Sequence, residues 1–471
     1  MNLLRICKNF RRPSWLCVLP VAVFAQDRRP LVEPKAPPIC VVLRASLPLH
    51  DGRLDGSDES KLDTARIQQA LNACRENSAV DLAPEGEMSA FLIGPVQIPT
   101  RRTLIVEGGV TVMASRDPRL YDVQSGSCGV VNQQPPGCKP VISVQGADHV
   151  AIMGSGVVDG RGGETLLVTP TRWWDLAETA RTGGRQQVPR LIVADHSNDF
   201  VVDGITLRNS PNFHLVFSHG RGFTVSNVKI DTPRSARNTD GIDPGGAEDI
   251  TVRNSFIRTG DDNIAIKGGE GGVAYMTVED NHFYAGHGMS IGSETFGGVH
   301  DIVVKNLTLD GTDNGIRIKS NRSRGGLVER VTYSNVCMRK VRWPIVLDTQ
   351  YDNPGPLSDR FPVYRDIRLE NVGISGGGHI RFEGVDAAHP IAVVLDGVEL
   401  DNPHEYTLLA KHALITYGPR PVNFRLTGED VATKDQAGAA VVTDCGDSVF
   451  VPFGAQASLD NRSEQPLRAK Q

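Results

Sequence analysis

Long amphipathic helical patterns are scarce in this chain, and 49 of its 471 residues are glycine. That combination argues against a helical bundle and for many short strands joined by turns. A dominant charge is also missing: 50 Lys and Arg stand against 55 Asp and Glu, a net of -5. Such a balance excludes a protein that coats nucleic acid with a basic surface. After the first 25 residues no apolar run is long enough to cross a bilayer, so no membrane partner is expected. No CxxC and no paired-histidine spacing is present, so neither a metal site nor a metal cofactor is expected. No Pro/Ser linker interrupts the chain. A single domain is therefore expected, although length alone would suggest two or three.

The N-terminus carries a secretory pattern. Arg5, Lys8, Arg11 and Arg12 form a basic region, and Trp15 to Phe24 is a short apolar stretch. Val23-Phe24-Ala25 is a small-residue cleavage site, so residues 1–25 read as a signal peptide and the secreted chain starts near Gln26. Six cysteines then remain: Cys40, Cys74, Cys128, Cys138, Cys337 and Cys445. Export permits their oxidation. Cys128 and Cys138 flank a Gly/Pro-rich loop and make a natural local pair, and Cys40 is placed to tie the N-terminal segment to Cys74. Spacing alone leaves other pairings open. Cys337 falls in a strand-like segment and reads as a buried thiol.

From about residue 147 the chain repeats itself. Phe223-Thr224-Val225-Ser226-Asn227 is followed by Ile250-Thr251-Val252-Arg253-Asn254, then by Met276 to Asn281, Ile302 to Asn306, Val331 to Asn335 and Ile367 to Asn371. Apolar and polar residues alternate, and Asn or Asp marks the turn. The turn residues Asp203, Asn227, Asn254, Asn281, Asn306 and Asn335 are 24, 27, 27, 25 and 29 apart. A period in the twenties with strands in every repeat marks a solenoid. Asn suits the turn because it tolerates left-handed backbone angles, and stacked once per coil it can form a ladder of amides. A β-sandwich would instead show frequent two-residue hairpin turns and no long period. The expected architecture is an all-β, single-stranded parallel β-helix spanning 26–445. Its open end needs a cover. Asp63 to Cys74 supplies one, a short N-terminal helix capped by Asp63 or Thr64 with Ile67, Ala70, Leu71 and Cys74 on one face. Residues 446–471 lose the pattern and read as a loose polar tail.

Each coil holds a second strand, anchored on Ile242, Ile264, Met289, Ile316 and Ile345. Asp240, Asp262 and His287 each lie two positions before their anchor, and Asp261 lies three before. Arg317 and Lys319 lie one and three after Ile316 and share a face. Neighbouring strands are about 4.8 Å apart, so Asp240 and Asp262 stack side by side with His287 one coil further on. The parity does not carry across the turn to Arg317. Hydrolysis of a glycosidic bond needs one carboxylic acid to protonate the leaving oxygen and a second carboxylate to activate water or attack carbon. Clustered carboxylates raise one another's pKa and keep a proton available. A cationic pair can hold a sugar carboxylate.

Each motif alone has a plain structural reading. Asp-Asp is common in solvated turns, Arg-x-Lys is a charged strand face, and His287 between glycines fits a packed turn. Trp173-Trp174 reads as a core or loop anchor more than a sugar platform, and Asn212, Phe213 and His214 read as packing. The argument rests on all four segments arriving in successive coils.

In Asn238-Thr239-Asp240, Gly260-Asp261-Asp262, Gly286-His287-Gly288 and Arg317-Ile318-Lys319 the chain resembles the polygalacturonases of glycoside hydrolase family 28. The resemblance covers about residues 27–400. Ser235 to Pro244, Gly288 to Glu294 and the double tryptophan resemble the secreted bacterial endo-acting branch. The family fold is a right-handed parallel β-helix of the pectin-lyase type. The resemblance implies a secreted, monomeric endopolygalacturonase that acts on the polygalacturonate of pectin without a cofactor. It implies Asp261 as general acid, Asp240 and Asp262 as the pair that holds and deprotonates the attacking water with inversion, and His287 as support for the acid. Asn238, Arg317, Lys319 and Tyr351 would contact substrate. Disulfides Cys40–Cys74 and Cys128–Cys138 are implied too. Asn263 stands where many fungal and plant members carry cysteine.

Three other readings compete. One is exo action, in which loops close an end of the cleft; 162–187 and 351–364 are the longest departures from the repeat nearby. Another is a calcium-dependent pectate lyase on the same kind of solenoid. The third is a β-helical adhesin or glycan-binding module without turnover.

Overall fold

A computed structural model describes residues 26–133, 137–352, 358–437, 445–446 and 449–454. The expected signal peptide, residues 1–25, and most of the expected tail lie outside the described residues.

The chain winds into a right-handed parallel β-helix. Among the described residues one large sheet of 21 strands forms most of the wall, and an 11-stranded sheet forms the face that matters for function. In that second sheet the expected anchors pair directly, Ile242 with Ile264, Ile264 with Met289, Met289 with Ile316 and Ile316 with Ile345. All five are buried to 0 % exposure, which fixes the register: a slip of one residue would turn each apolar anchor to water. Inside the coils Phe200 stacks on Phe223 along the axis at 5.7 Å between centroids, and Phe217 stacks on Phe223 across the interior at 4.7 Å.

The turn ladder forms as the repeat suggests. Asn335 Nδ2 donates to Asn306 Oδ1 at 3.1 Å, and Asn371 Nδ2 to Asn335 Oδ1 at 2.8 Å. One rung differs. Asp280, with φ 55°, takes the left-handed place expected for Asn281, and Asn306 donates to it at 2.8 Å. Asn281 is buried one residue later, where it accepts from Ser255 N and donates to Val252 O.

Helix α1, Thr64–Ala73, buries Ile67 and Leu71 against the first coils. The expected side-chain cap is absent. Asp63 is the N-cap residue but ion-pairs with Arg66, and Thr64 Oγ1 accepts from Gly94 N at 2.8 Å instead. Helix α2, Trp173–Thr179, lies in the long loop before the candidate site. Trp173 is fully buried against Tyr121, and Trp174 Nε1 donates to Ser210 O at 2.9 Å, so both act as anchors.

Cys40 is bonded to Cys74 and Cys128 to Cys138. Cys337 is not a free thiol: it is bonded to Cys445, 108 residues away. Proximity in sequence gave no hint of this, because the chain returns after the last coil. The same return corrects the loose tail over 449–454. Phe450 is buried beneath Arg339, and Phe453 packs against Tyr284 with Arg258 above its ring. At the other end Asp27 and Arg28 reach across the large sheet, where Arg28 Nε lies 2.7 Å from Asp249 and Asp27 Oδ2 accepts from Thr251.

Candidate active site

The outer face of the 11-stranded sheet is read by parity from the anchors. Positions one and three after each anchor point outward, because the anchors point in. This places Asp243 and Arg317 in one column and Lys267 and Lys319 in the next. Gly292 lies beside Lys319 in the second column; a Cβ there would meet Lys319 O at 2.0 Å, so the space between the two lysines carries no side chain.

The loops entering these strands bring the carboxylates together. Asp262 is 1 % exposed, its Oδ2 2.8 Å from Lys319 Nζ and its Oδ1 3.4 Å from Arg317. Ser290 Oγ also donates to Asp262 Oδ1 at 2.8 Å. Burial pushes the Asp262 carboxyl up, but the charges of Lys319, Arg317 and Lys267 outweigh it and hold the group well below the usual range. Asp262 is the fixed anion of the site.

Asp261 turns away from that cluster toward His287. Its Oδ1 lies 3.0 Å from His287 Nδ1, and Asn238 Nδ2 reaches its Oδ2 at 3.4 Å. His287 N also donates to Asp261 O at 2.9 Å, so backbone and ring are tied to one partner. The flanking glycines explain themselves. Gly286 and Gly288 both have φ 73°, and a Cβ on either would press on backbone oxygens of Asp261 or Asn314 closer than contact allows. Asn263 bridges the two coils. It is fully buried, accepts from Gly288 N at 2.8 Å and donates to Ile257 O at 3.0 Å, tying the Asp261 coil to the His287 coil. Burial alone would raise Asp261 and lower His287. The hydrogen bond between them wins in both cases, so Asp261 lies below and His287 above its ordinary value. The pair is held by the hydrogen bond from His287 Nδ1 to Asp261 Oδ1.

Asp240 behaves differently. It is 3 % exposed, and Oδ1 has no hydrogen-bond partner among the described residues. Burial raises its pKa well above the usual range; the negative charges of Asp261 and Asp243 add to this, and Lys267 opposes it. His214 holds the Asp240 backbone. Its Nδ1 lies 3.0 Å from Asp240 O and its Nε2 2.6 Å from Thr232 Oγ1. A carbonyl only accepts, so Nδ1 carries the proton. Burial lowers this imidazole to about 4 and keeps it neutral.

Asn238, Asp240, Asp261, Asp262, His287, Arg317 and Lys319 all fall within this constellation. Tyr351 joins it from the coil next to that of Arg317, its ring 5.1 Å from the Arg317 guanidinium and 5.3 Å from Lys319 Nζ. Sequence reasoning missed Asp243, Lys267 and Ser290. Lys267 Nζ lies 3.5 Å from Asp240 and 3.8 Å from Asp243. Asp243 is buried and raised to about 7, chiefly by that burial. The anchor register would have found all three, since Asp243 and Ser290 follow their anchors by one and Lys267 by three.

The ligand-type atoms of Asp261, Asp262 and His287 lie within 4.8 Å of one another. Three cations already offset this charge, which opposes a divalent ion there. The cations continue along the face. Phe213 sits between Lys267 and Arg190, 5.8 and 5.1 Å from its ring, and Arg190 with Lys139 borders a groove of about 700 Å³. The result is a trough with a cluster of carboxylates at one point, basic side chains along its length and Asp195 at its far end.

Known proteins resemble this chain in sequence and in fold. Residues 93–412 fit the family described as glycosyl hydrolases family 28. An endo-polygalacturonase of Pectobacterium carotovorum subsp. carotovorum is 41% identical over 382 residues, covering 80% of this chain and 91% of that protein. A polygalacturonase of Ralstonia solanacearum is 34% identical over 497 residues, covering 90% of this chain and 92% of that one. Among solved structures, the polygalacturonase from Erwinia carotovora ssp. carotovora superposes with a TM-score of 0.77 at 39% identity, over 83% of this chain and all of that one.

Proposed function

The chain belongs to glycosyl hydrolases family 28, and from that premise we propose that it is a secreted endopolygalacturonase, hydrolysing α-1,4-galacturonosyl linkages in de-esterified pectin with inversion. The observation that carries this reading is the division of labour between adjacent carboxylates. Asp262 is pinned as an anion by Lys319, Arg317 and Lys267, while Asp261 accepts a hydrogen bond from His287.

Asp261 is the general acid. In the free protein it is too acidic to hold its own proton, which rests on His287 Nδ1. Arg317 and Lys319 bind the galacturonate carboxylate, and Tyr351 packs under them. That bound anion offsets the positive charge of Lys319 that lowers Asp261. The Asp261 pKa therefore rises as substrate binds, and the proton passes from Nδ1 to the carboxyl oxygen and on to the leaving glycosidic oxygen. Asp262 and Asp240 hold the attacking water between them and together accept its proton, Asp240 offering an Oδ1 that has no hydrogen-bond partner among the described residues. Asn238 orients Asp261 through its 3.4 Å contact.

Endo action is supported by the open run of cations from Lys319 to Lys139, which suits a long polyanion. Export is supported by the N-terminal pattern and by three disulfides, which persist in oxidising surroundings. The test is reducing-end release from polygalacturonate with product sizing. Asp261→Asn should lower kcat by about 10³-fold, in the range for loss of an acid–base group. Equal rates in the two proteins would remove Asp261 from the acid role. Monomer or dimer alone at early times would contradict endo action, and loss of activity on chelation with unsaturated products would point to a lyase.

A further inference from the structure

The solenoid brings together a second group of side chains, at the far end of the groove. His196 and His219 are 23 residues apart and occupy the same turn position in successive coils, each with φ 51°. Their rings lie 4.8 Å apart between centroids. Asp195, the last residue of the strand Ile192–Asp195, serves both: Oδ2 is 2.9 Å from His196 Nδ1 and Oδ1 is 2.8 Å from His219 Nδ1. Gln145 Nε2 from the preceding coil steadies the carboxylate at 3.3 Å. In the following coil the same turn position is Gly246, where a Cβ would meet His219 Cδ2 at 2.8 Å. Glycine is what leaves the second imidazole its place.

We propose that Asp195, His196 and His219 form a binding site for one divalent transition-metal ion of the Zn²⁺ class. Imidazole nitrogen and carboxylate oxygen are the donors such an ion takes, and one donor atom from each residue already lies within 4.8 Å of the other two. Binding replaces the two Nδ1 protons that now bridge to the carboxylate. Bonds of about 2.0–2.1 Å to tetrahedral Zn²⁺ set the donors about 3.3 Å apart, so each nitrogen moves out from the carboxylate by a fraction of an ångström, and the two nitrogens, within 4.8 Å of each other, close on the ion by ring rotation. Both rings have room for this: His196 and His219 side chains are 65% and 43% exposed. The backbone cannot drift, because both turns are locked between paired strands, Ile192 with Leu215 and Leu215 with Ile242. Three protein ligands leave one position open. Asp195 and His219 border the groove that Arg190 and Lys139 also line, so the open position faces a place suited to anionic oxygen ligands. Sequence spacing gave no sign of this site, since a 23-residue separation becomes adjacency only in a coil.

The experiment is calorimetric titration of the metal-free full-length secreted protein with ZnCl₂, alongside a His196→Ala/His219→Ala double variant and a His412→Ala variant. The last removes a histidine that stands with Glu429 and Asp430 in a separate cluster. Wild type should bind one equivalent at micromolar affinity or tighter through this site. The double variant should lose that equivalent, with affinity falling at least about 100-fold, while its circular dichroism stays unchanged. His412→Ala should retain it. Zn²⁺ should also raise the unfolding temperature of wild type and not of the double variant. An isotherm unchanged in the double variant, or no stoichiometric binding in wild type, would overturn the proposal.

Discussion

Lys319 Nζ and Asp262 Oδ2 lie 2.8 Å apart, and both side chains are almost wholly shielded from water. An ion pair so buried is costly to assemble and more costly to break, because either partner alone would be an unpaired buried charge. Its presence on an outward-facing strand, with Arg317 and Lys267 beside it, keeps one carboxylate permanently ionised next to another that accepts a hydrogen bond from His287.

Removing that lysine should therefore show in the pH profile. Lys319→Met takes away the largest of the opposite charges acting on Asp262, so its pKa rises. Asp262 must be ionised to accept a proton from water. The acidic limb of kcat/KM on polygalacturonate is expected to move to higher pH, with KM also raised through loss of a carboxylate anchor. An acidic limb left in place would mean that Asp262 does not set it.

Lys267 makes a parallel case from a residue that motif reading overlooked. It opposes the upward shift of Asp240 and faces Asp243 at 3.8 Å. Lys267→Met should push Asp240 further toward its neutral form and lower kcat near neutral pH by about 10²-fold. Steady-state rates across pH, compared with Lys319→Met, would separate the two lysines.

The N-terminal strap gives a stability prediction. Burial pushes Asp249 up, but the hydrogen bonds of Arg28 and then Arg221 bring it down to about 2. A depressed carboxylate adds stability above its unfolded pKa of about 4, and that contribution is lost as pH falls toward 2. Arg28→Ala should destabilise the fold by on the order of 1 kcal/mol near neutrality. Thermal melts should show the gap to wild type narrowing as pH drops from about 4 to 2.

A double Cys337→Ser/Cys445→Ser variant should keep its activity, because the bond lies on the large sheet and not on the groove face. It should lose thermal stability. A crosslink closing a loop of this length restricts the unfolded chain by about 5 kcal/mol in the chain-entropy treatment. Limited proteolysis should then cut near 449–454, where Phe450 and Phe453 are held down in the native protein.

Much of this was legible in the sequence, for a physical reason. A solenoid converts a sequence period into spatial stacking, so anchors such as Ile264 and Met289 could be aligned without any structure. The four motifs came from that alignment and from the family resemblance together. What stayed hidden fell into two kinds. Lys267, Asp243 and Ser290 obey the same register, but each stands after its anchor, one or three positions into the strand, whereas the other carboxylates and His287 stand before theirs. Cys337–Cys445, the seat of Phe453 and the Asp195–His196–His219 group depend on chain return or on turns meeting across coils, and no local pattern encodes them. The cap of α1 failed for a third reason: Arg66 competes for the Asp63 carboxylate that the helix end would have used.

The strict pairing of Ile242, Ile264, Met289, Ile316 and Ile345 makes the groove a ruler. Each turn of the chain adds one graduation of about 4.8 Å and one outward pair of side chains. The length of polymer gripped and the chemistry done on it are thereby separable quantities. A whole turn grafted between the Arg190 coil and the Asp240 coil would lengthen the grip and leave the reacting groups where they stand.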